Sequence, residues 1–213
     1  MNEKFFEIKN EKQERILNAA IKVFALNGYR KASTDVIVTE AGISKGLLFH
    51  YFTNKLSLYE YIIDYSIKYM NFEFTTSVSK YEKDFFELQM MMEQAKIRVM
   101  KIYPYMQQFL ASLKYETDAK AKAVIGENAY ALESMFNVIY KQADTSKFEE
   151  YVVVQKVVDM IRWMSDGYLR EHLVEGDTDV DVLVSEFSKY LKMLRAHFYR
   201  GGLVGVDIEE IYL

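Results

Sequence analysis

Ser44, Lys45 and Gly46 precede a short apolar stretch, and side chains of these types in this order could contact a nucleic acid. A helix that lies in the major groove of DNA needs a first turn with free N–H groups and little bulk. Phosphates are positioned by cations and hydroxyl groups, whereas bases are read by groups that reach their edges. Both kinds of group occur on the side of this stretch that we predict to face outward, which holds Lys45, Leu47, Phe49, His50 and Tyr51. This chemistry requires a helix that begins at Ser44 and another element that supports it.

The supporting structure begins with a helix near the N-terminus. Asn10 is typical of an N-cap with Gln13 as its capping-box partner, and apolar residues then recur at helical spacing. We expect this helix to end at Asn27 and Gly28, because glycine adopts the left-handed conformation without a Cβ penalty.

Two shorter helices follow. Ser33 is a natural N-cap for the second helix, which should end about two turns later at Ala41 and Gly42. Ser44 caps the third helix after a turn of two or three residues. The core-facing residues of the third helix are predicted to be Ile43, Leu48 and Phe52. This spacing predicts a helix-turn-helix.

The remainder of the chain is also predicted to be helical. One Pro and nine Gly in 213 residues argue against the many tight turns of a β-sandwich or barrel. Pro104 must end or kink a helix, since proline lacks an N–H group and clashes with the preceding turn. Further breaks are expected near residues 77–79, 116–118, 143–146 and 176–179. The sequence therefore predicts an all-α fold of about nine helices.

The charge is distributed unevenly along the chain. The whole sequence has a formal net charge of −4, yet the residues up to Tyr59 hold nine Lys and Arg against six Asp and Glu. A basic N-terminal region before an acidic remainder indicates a polyanionic partner for that region alone.

Residues 28–55 read GYRKASTDVIVTEAGISKGLLFHYFTNK. This segment closely resembles the N-terminal DNA-binding domain of the TetR family, the bacterial ligand-responsive transcriptional repressors. The resemblance covers roughly residues 10–58. It implies a helix-turn-helix DNA-binding domain over residues 1–54 and a helical ligand-binding and dimerisation domain over residues 55–213.

The resemblance also implies roles for individual residues in binding double-stranded DNA. Ser33 and Thr34 would lie beside the DNA backbone, and Ser44, Lys45 and Gly46 at the start of the recognition helix. Leu47 and His50 would approach the bases, and Tyr51 and Lys55 would contact phosphates. Phe49 stands where the family often has Tyr, so a phosphate contact by a hydroxyl group is lost at that position.

Each of these residues alone has a simpler interpretation. Lys45 and Lys55 are the kind of charge that is most often solvated, and a single histidine such as His50 is more often structural than base-reading. The DNA-binding hypothesis depends on the joint pattern of Gly28, the capped second helix, Gly42 and the start of the third helix.

The last two long helices predict a homodimer. Residues 148–173 are apolar on two faces, and a helix over residues 180–200 has an apolar seam that includes Leu183, Phe187 and Leu191. Such surplus apolar surface is explained by a helix–helix interface between two copies. The resemblance implies the same, because TetR-type proteins dimerise through these helices.

Aromatic and Met side chains are abundant in the middle of the sequence, with 14 Phe, 17 Tyr and 11 Met in the whole chain. Most such residues fill a core, but Tyr and Met together can also line a cavity for a small apolar effector. The candidate ligand-binding residues are Met91, Tyr103, Tyr105, Phe109, Tyr115, Tyr130, Phe136 and Trp163.

Enzymatic and metal-binding patterns are not found in the sequence. It has no Cys, and its three His residues fall on different predicted helices without metal-ligand spacing. We therefore expect neither an enzyme nor a cofactor. Without an export signal or a long apolar run, a cytoplasmic location and no membrane partner are expected.

Two functions remain open at this point. The first is a ligand-responsive DNA-binding transcriptional regulator, a repressor that binds a pseudo-palindromic operator as a dimer and is released by an apolar small molecule. The second is a helical carrier or sensor of hydrophobic molecules that does not bind DNA.

Overall fold

The computed structural model describes residues 3–172 and 179–202, and this part of the chain contains helices but no β-strand. Short 3-10 helices lie at Glu3–Phe5 and Leu113–Tyr115. The α-helices are α1 (Asn10–Lys31), α2 (Thr34–Ala41), α3 (Lys45–Tyr51), α4 (Lys55–Ser77), α5 (Phe85–Ile102), α6 (Met106–Ser112), α7 (Ala119–Tyr140), α8 (Val154–His172) and α9 (Val180–Phe198). The predicted all-α fold of about nine helices is confirmed.

The breaks between these helices follow the sequence closely. Helix α4 ends at Ser77, and Pro104 separates α5 from α6. The break predicted at residues 116–118 lies between Tyr115 and Ala119. The break at residues 176–179 falls outside the described residues except for Asp179, whose side chain caps α9 by accepting from the N–H of Asp181.

The two ends of α1 can be compared with the prediction from the sequence. The helix begins at Asn10 itself, and no side chain caps it, so the predicted Asn10 N-cap is wrong. The amide of Gln13 instead donates to the carbonyl of Ile8 at 2.8 Å. Gly28 interrupts the last turn with a φ of 66°, but its ψ of 174° is not the left-handed conformation that was predicted, and α1 ends at Lys31 rather than at Gly28.

The chain divides into two compact units, of which unit 1 comprises Met1–Phe72 and Val99–Met135. Its core includes three rings from three helices, Phe24 of α1, Tyr59 of α4 and Phe109 of α6, with centroids 4.8 to 6.3 Å apart. The predicted DNA-binding segment, residues 1–54, thus belongs to the same unit as α6. A domain boundary between residues 54 and 55 remains a prediction.

Unit 2 comprises Glu73–Arg98 and Phe136–Leu213. Its apolar core consists of Phe85, Phe86, Phe148, Val157, Ile161, Phe187, Leu191 and Tyr199. Much of the seam that the sequence assigned to a dimer interface, including Leu183, Phe187 and Leu191, is therefore buried within the chain's own core. Helix α8 also begins at Val154, later than expected, because Phe148 packs as a loop residue against Phe85 and Tyr199.

Asp84 is a buried acidic residue of unit 2. Its carboxylate accepts from Lys147 Nζ at 2.8 Å, Arg195 Nη2 at 3.3 Å and the Tyr199 hydroxyl at 3.2 Å. The N–H group of Phe86 also donates to it at the start of α5. Burial alone would raise the pKa of Asp84, but these hydrogen bonds and cations outweigh burial and lower it. The carboxylate thus joins the start of α5 to the end of α9.

Candidate nucleic-acid interface

Helix α2 begins at the predicted N-cap. The Ser33 hydroxyl oxygen accepts from the N–H of Asp35 at 3.2 Å, and Thr34 is the first helical residue. Both side chains are only half-buried. Their hydroxyl hydrogens can therefore point toward a ligand at the start of the helix.

A tight turn joins α2 to α3. Gly42 has φ 64° and ψ 41°, the left-handed conformation that most L-residues avoid, and its N–H group bonds to the carbonyls of Thr39 and Val38. The N–H of Ile43 returns to the carbonyl of Val38 at 3.0 Å. This turn sets the direction of α3 relative to α2.

Helix α3 begins with the small, polar turn that the sequence predicts. The Ser44 hydroxyl oxygen accepts from the N–H of Leu47 at 3.2 Å, and Gly46 is exposed with open space where a Cβ would lie. Lys45 is exposed, and its ammonium group lies 2.8 Å from the Asp35 carboxylate of α2. Ion pairs at the protein surface contribute little to stability, so a phosphate could replace Asp35 at modest cost.

The outward residues of α3 are only partly those expected. His50 is exposed, Leu47 is half-buried and Phe49 is 37% exposed, while Leu48 is buried in the core. An exposed Phe49 ring offers apolar contact but no hydroxyl group. Leu47, Phe49 and His50 therefore lie where a groove could reach them.

Tyr51 does not face outward, so that part of the prediction is wrong. It is only 5% exposed, and its ring packs on Phe5 with centroids 5.5 Å apart. Phe5, in the 3-10 helix near the N-terminus, is fully buried and also contacts Phe52 and Tyr61. The few apolar residues ahead of α1 gave no periodic signal in the sequence, so the sequence did not predict this contact of Phe5.

Lys55 has partners within the protein that the sequence did not reveal. Its ammonium group donates to the carbonyls of Tyr29 at 2.8 Å, Ala32 at 3.1 Å and Arg30 at 3.4 Å. It also lies 4.6 Å from the centre of the Tyr29 ring. Its three N–H donors are engaged at the end of α1, which gives Lys55 a structural role there, and its contact with a phosphate stays a prediction.

Glu116 holds the same end of α1 from the other side. Its carboxylate accepts from the N–H of Tyr29 at 2.8 Å, although 87 residues separate the two in sequence. Burial would raise the pKa of Glu116, but bonds from the N–H groups of Asp118, Tyr29 and Thr117 lower it. A lone Glu in a predicted break gave no sign of this partner.

The candidate ligand-binding residues are divided between the two units. Tyr103 and Phe109 are buried and Tyr105 is half-buried, all in unit 1. Met91 and Phe136 are half-buried in unit 2, where the Phe136 ring lies 5.5 Å from that of Phe74. Tyr115, Tyr130 and Trp163 are exposed, so within a single chain they do not line an enclosed pocket. The prediction that they do is wrong for the single chain.

Residues 3–172 and 179–202 contain neither a candidate metal site nor a membrane-spanning helix. In these ranges no three His, Asp or Glu side chains are grouped so as to hold a metal ion. No helix in the same ranges is both long enough and apolar enough to cross a membrane.

Comparison with known sequences identifies the segment that contains this interface. Residues 16–62 match the TetR N-terminal family model, described as bacterial regulatory proteins of the tetR family. A regulator from Bacillus subtilis, the uncharacterised HTH-type transcriptional regulator YerO, is 40% identical over 65 residues. That match covers 29% of this chain and 22% of YerO, so the chain matches less than a quarter of this curated relative.

Comparison with solved structures extends the likeness to most of the chain. A TetR family transcriptional regulator from Chloroflexus aurantiacus has a TM-score of 0.61 at 19% identity, covering 93% of this chain and 98% of that one. FadR from Bacillus subtilis, solved in complex with stearoyl-CoA, has a TM-score of 0.58 at 17% identity, covering 83% and 96%. Residues 16–62 therefore belong to the TetR family of bacterial regulatory proteins, and the described chain has the fold of solved members of that family.

Proposed function

We propose that this protein is a transcriptional repressor that binds a pseudo-palindromic operator as a homodimer and releases it when a small apolar molecule binds. The observation that carries the proposal is the helix pair α2 and α3, in which a glycine turn presents the capped start of α3 to solvent. The match of residues 16–62 to the TetR N-terminal family supports the same function.

DNA recognition is assigned to the exposed side of this pair. Ser33 and Thr34 would contact the backbone beside α2, and Ser44, Lys45 and Gly46 would bring the start of α3 close to phosphate. Leu47, Phe49 and His50 would face the base edges. An apolar Leu47 could touch a thymine methyl group but cannot exchange hydrogen bonds with a base.

Dimerisation is assigned to the faces of α8 and α9 that remain exposed in the single chain. Large apolar side chains are exposed on both helices, Met160 and Trp163 on α8 and Val182 and Tyr190 on α9. A second copy that covers them would remove apolar surface from water. Two-fold symmetry would then place two α3 helices about 34–36 Å apart, one turn of DNA, or a multiple of that distance.

Effector control would act as a population shift. A molecule that binds better to a conformer with misplaced α3 helices weakens operator binding by its difference in affinity, typically about 5- to 150-fold. FadR of Bacillus subtilis was solved with stearoyl-CoA, which supports the proposal of an effector with an apolar portion for this chain.

The test is a gel shift with the full-length protein and the promoter region beside its own gene, at several stated salt concentrations. We expect saturable binding. The logarithm of the association constant should fall by about 0.9 per contacted phosphate for each tenfold rise in salt concentration. If the protein is monomeric, does not bind duplex DNA at low salt and retains a hydrophobic ligand, the carrier function is supported instead.

Base reading by His50 can be separated from general affinity. We expect His50→Ala to change the order of preference among operators that differ by one base pair, because His50 is assigned to the base edges. A matched change at Lys68, an exposed residue of α4 paired with Asp64, should leave that order intact. A uniform loss on all operators would contradict the role given to His50.

A further inference from the structure

The burial pattern of α3 locates the centre of its exposed side. Leu48 and Tyr51 are 1% and 5% exposed, so they mark the side of the helix that faces the protein core. With about 3.6 residues per turn, the opposite side is centred on Gly46, and Phe49 and His50 flank it about equally. Both flanking side chains are exposed. Phe49 is therefore the large apolar group nearest the middle of the outward side.

Nothing within the described chain requires a glycine at position 46. A Cβ added to Gly46 would meet no atom of the described chain within 4 Å. Its backbone is helical and lacks the positive φ that Gly28 and Gly42 have. Glycine within a helix also destabilises the helix relative to alanine. The missing side chain is thus explained best by the close approach of a group from outside the chain.

The Phe49 side chain borders the space above Gly46. Residues three and four apart are neighbours on a helix surface, and their side chains lean toward the start of the helix. Phe49 therefore covers the turn that contains Gly46 and Lys45, whose ammonium group lies 2.8 Å from the Asp35 carboxylate of α2. A group that approaches Gly46 meets an apolar ring on one side.

The chemistry of this ring limits what it can recognise in DNA. A phenyl ring has no hydroxyl or amide group, so it cannot read the donors and acceptors on a base edge, and it offers no charge to a phosphate. The apolar group that the major groove displays is the C5-methyl group of thymine, which apolar side chains contact. Packing of this methyl group on the ring would remove both from water.

The setting of Phe49 differs from that of other exposed Phe residues. Single exposed apolar side chains are common in folded proteins. Phe6 and Phe72 are 57% and 63% exposed, but Phe6 precedes α1 and Phe72 lies in α4. Phe49 alone of these three lies in α3, beside a glycine that the protein's own packing does not explain.

We propose that Phe49 is a specificity-determining residue that packs on the C5-methyl group of a thymine placed against Gly46. The inference rests on the proposed function, since it names the base chemistry that the same DNA-binding site reads. Recognition at this position depends on a methyl group and not on a hydrogen bond. Each half-site of the operator therefore contains a thymine where Phe49 reaches the groove.

The test uses the full-length protein and two versions of its operator, which footprinting locates on the promoter fragment. One duplex contains thymidine and the other contains deoxyuridine throughout, which forms the same base pair without the methyl group. Burial of one methyl group corresponds to about fourfold in affinity, so two half-sites should favour the thymidine duplex about tenfold. Fluorescence anisotropy at 150 mM salt would measure the ratio, and equal affinities would overturn the proposal.

Variants assign the preference to Phe49. We expect Phe49→Ala to reduce the ratio to about twofold or less, and Phe49→Leu, which keeps an apolar side chain, to retain most of it. Phe72→Ala, at the exposed Phe of α4, is the matched control and should leave the ratio unchanged. If Phe49→Ala left the ratio unchanged and Leu47→Ala abolished it, the methyl contact would belong to Leu47 and the proposal would be wrong.

The salt dependence separates a methyl contact from a phosphate contact. An apolar contact releases no counterion, so Phe49→Ala should not change the slope of log affinity against log salt concentration. A slope that became shallower by about one would overturn the proposal. A variant that merely loosened α3 would lose affinity for both duplexes alike, which would also contradict it.

The same measurements keep the two proposals apart. If the protein binds both duplexes equally well, only the inference about Phe49 fails. If it binds neither duplex, nor the promoter fragment at low salt, the proposed regulatory function fails.

Discussion

The charged side chains around α2 and α3 are engaged with protein groups in the DNA-free chain. Lys45 pairs with Asp35 across the turn, and both side chains are at least half-exposed. A pair of this kind contributes about 1 kcal/mol or less, so DNA phosphates can displace the carboxylate. In the proposed complex, Asp35 would then be a negative charge close to the DNA backbone.

Replacing that carboxylate should tighten DNA binding. We expect Asp35→Asn to raise the affinity for operator and unrelated DNA alike by about threefold, because Lys45 is released and a repulsion is removed. Fluorescence anisotropy with labelled duplexes at 150 mM salt would measure the change. Asp64→Asn frees Lys68 from a similar exposed pair in α4 and serves as the control. If both variants gained DNA affinity equally, the cause would be the change in net charge and not the release of Lys45.

A substitution at Lys55 should weaken DNA binding rather than tighten it. Lys55→Met keeps most of the apolar stem but removes the donors to Tyr29 and Ala32, so the free energy of unfolding should fall by about 1–2 kcal/mol. DNA binding should weaken by the same factor on all sequences, since the end of α1 is less well held. Urea denaturation would measure the loss. If the stability were unchanged and DNA binding were weaker, the result would support a direct contact between Lys55 and a phosphate.

The sequence predicts the roles of those residues that act on nearby backbone groups, but not the roles of those that depend on distant parts of the chain. Ser33, Gly42 and Ser44 act on N–H groups or backbone angles within a few residues, so their roles can be read from the sequence. The positions of Tyr51 and Lys55 depend on Phe5 and on the end of α1, which lie far away in sequence. Helical periodicity alone placed Tyr51 on the wrong side.

At the scale of secondary-structure elements, the 3-10 helix at Glu3–Phe5 secures the end of α3. Phe5 packs on Tyr51, Phe52 and Tyr61 and thereby joins α3 to α4. Phe5 itself precedes residues 16–62, which match the family model, whereas its three partners lie within them. The position of α3 thus depends on a residue that precedes the matched segment.

Phe5→Ala should loosen α3. We expect the free energy of unfolding to fall by about 3 kcal/mol, as for other buried Phe truncations, and operator affinity to fall with it. Chemical denaturation and gel shifts would measure the two effects. Phe6→Ala is a matched control, because the neighbouring Phe6 is 57% exposed. Similar losses in both variants would contradict the anchoring role of Phe5.

Asp84 predicts an acid-sensitive element in unit 2. Its lowered pKa means that its stabilisation is complete above the ordinary value of 3.8 and is lost as the pH falls through the lowered value. Asp84→Asn should cost about 2 kcal/mol at pH 7, because the hydrogen bonds from Lys147 and Arg195 to a carboxylate are lost. The variant should also lose less stability than the wild type on acidification.

Thermal unfolding between pH 2 and pH 7 would check this prediction. Glu87→Gln removes an exposed partner of the same Arg195, at 2.6 Å, and should cost less than about 1 kcal/mol. If Asp84→Asn behaved like Glu87→Gln, the buried carboxylate would not be the group that joins α5 to α9.

At the scale of the whole molecule, the helix breaks were predictable because Pro104 and short polar stretches act locally. The sequence did not predict which aromatic residues are buried, because Tyr103 and Tyr130 have the same side chain and both belong to predicted helical regions. Only tertiary packing buries the first and exposes the second. The apolar seam of α9 was similarly ambiguous, since a core and an interface require the same side chains.

Assembly can be tested through the exposed face of α8. Trp163 is 58% exposed, and Trp163→Glu should convert the proposed dimer to a monomer with unchanged helical content, since a buried charge destabilises an interface. Light scattering during gel filtration would report the mass. Tyr130→Glu, at a more exposed aromatic residue of α7, should leave the mass unchanged. A dimer that survives Trp163→Glu would place the interface elsewhere.

The packing of α1 on α6 has a consequence for engineered chimaeras. Phe24 lies against Phe109, and the N–H of Tyr29 bonds to Glu116, so α1, on which α2 packs, shares one core with a segment about 85 residues downstream. A graft that carries only residues 1–54 onto a foreign body would expose that core and leave the Tyr29 amide unbonded. Exchange of operator specificity is better made by replacing surface residues of α2 and α3 than by transplanting the segment.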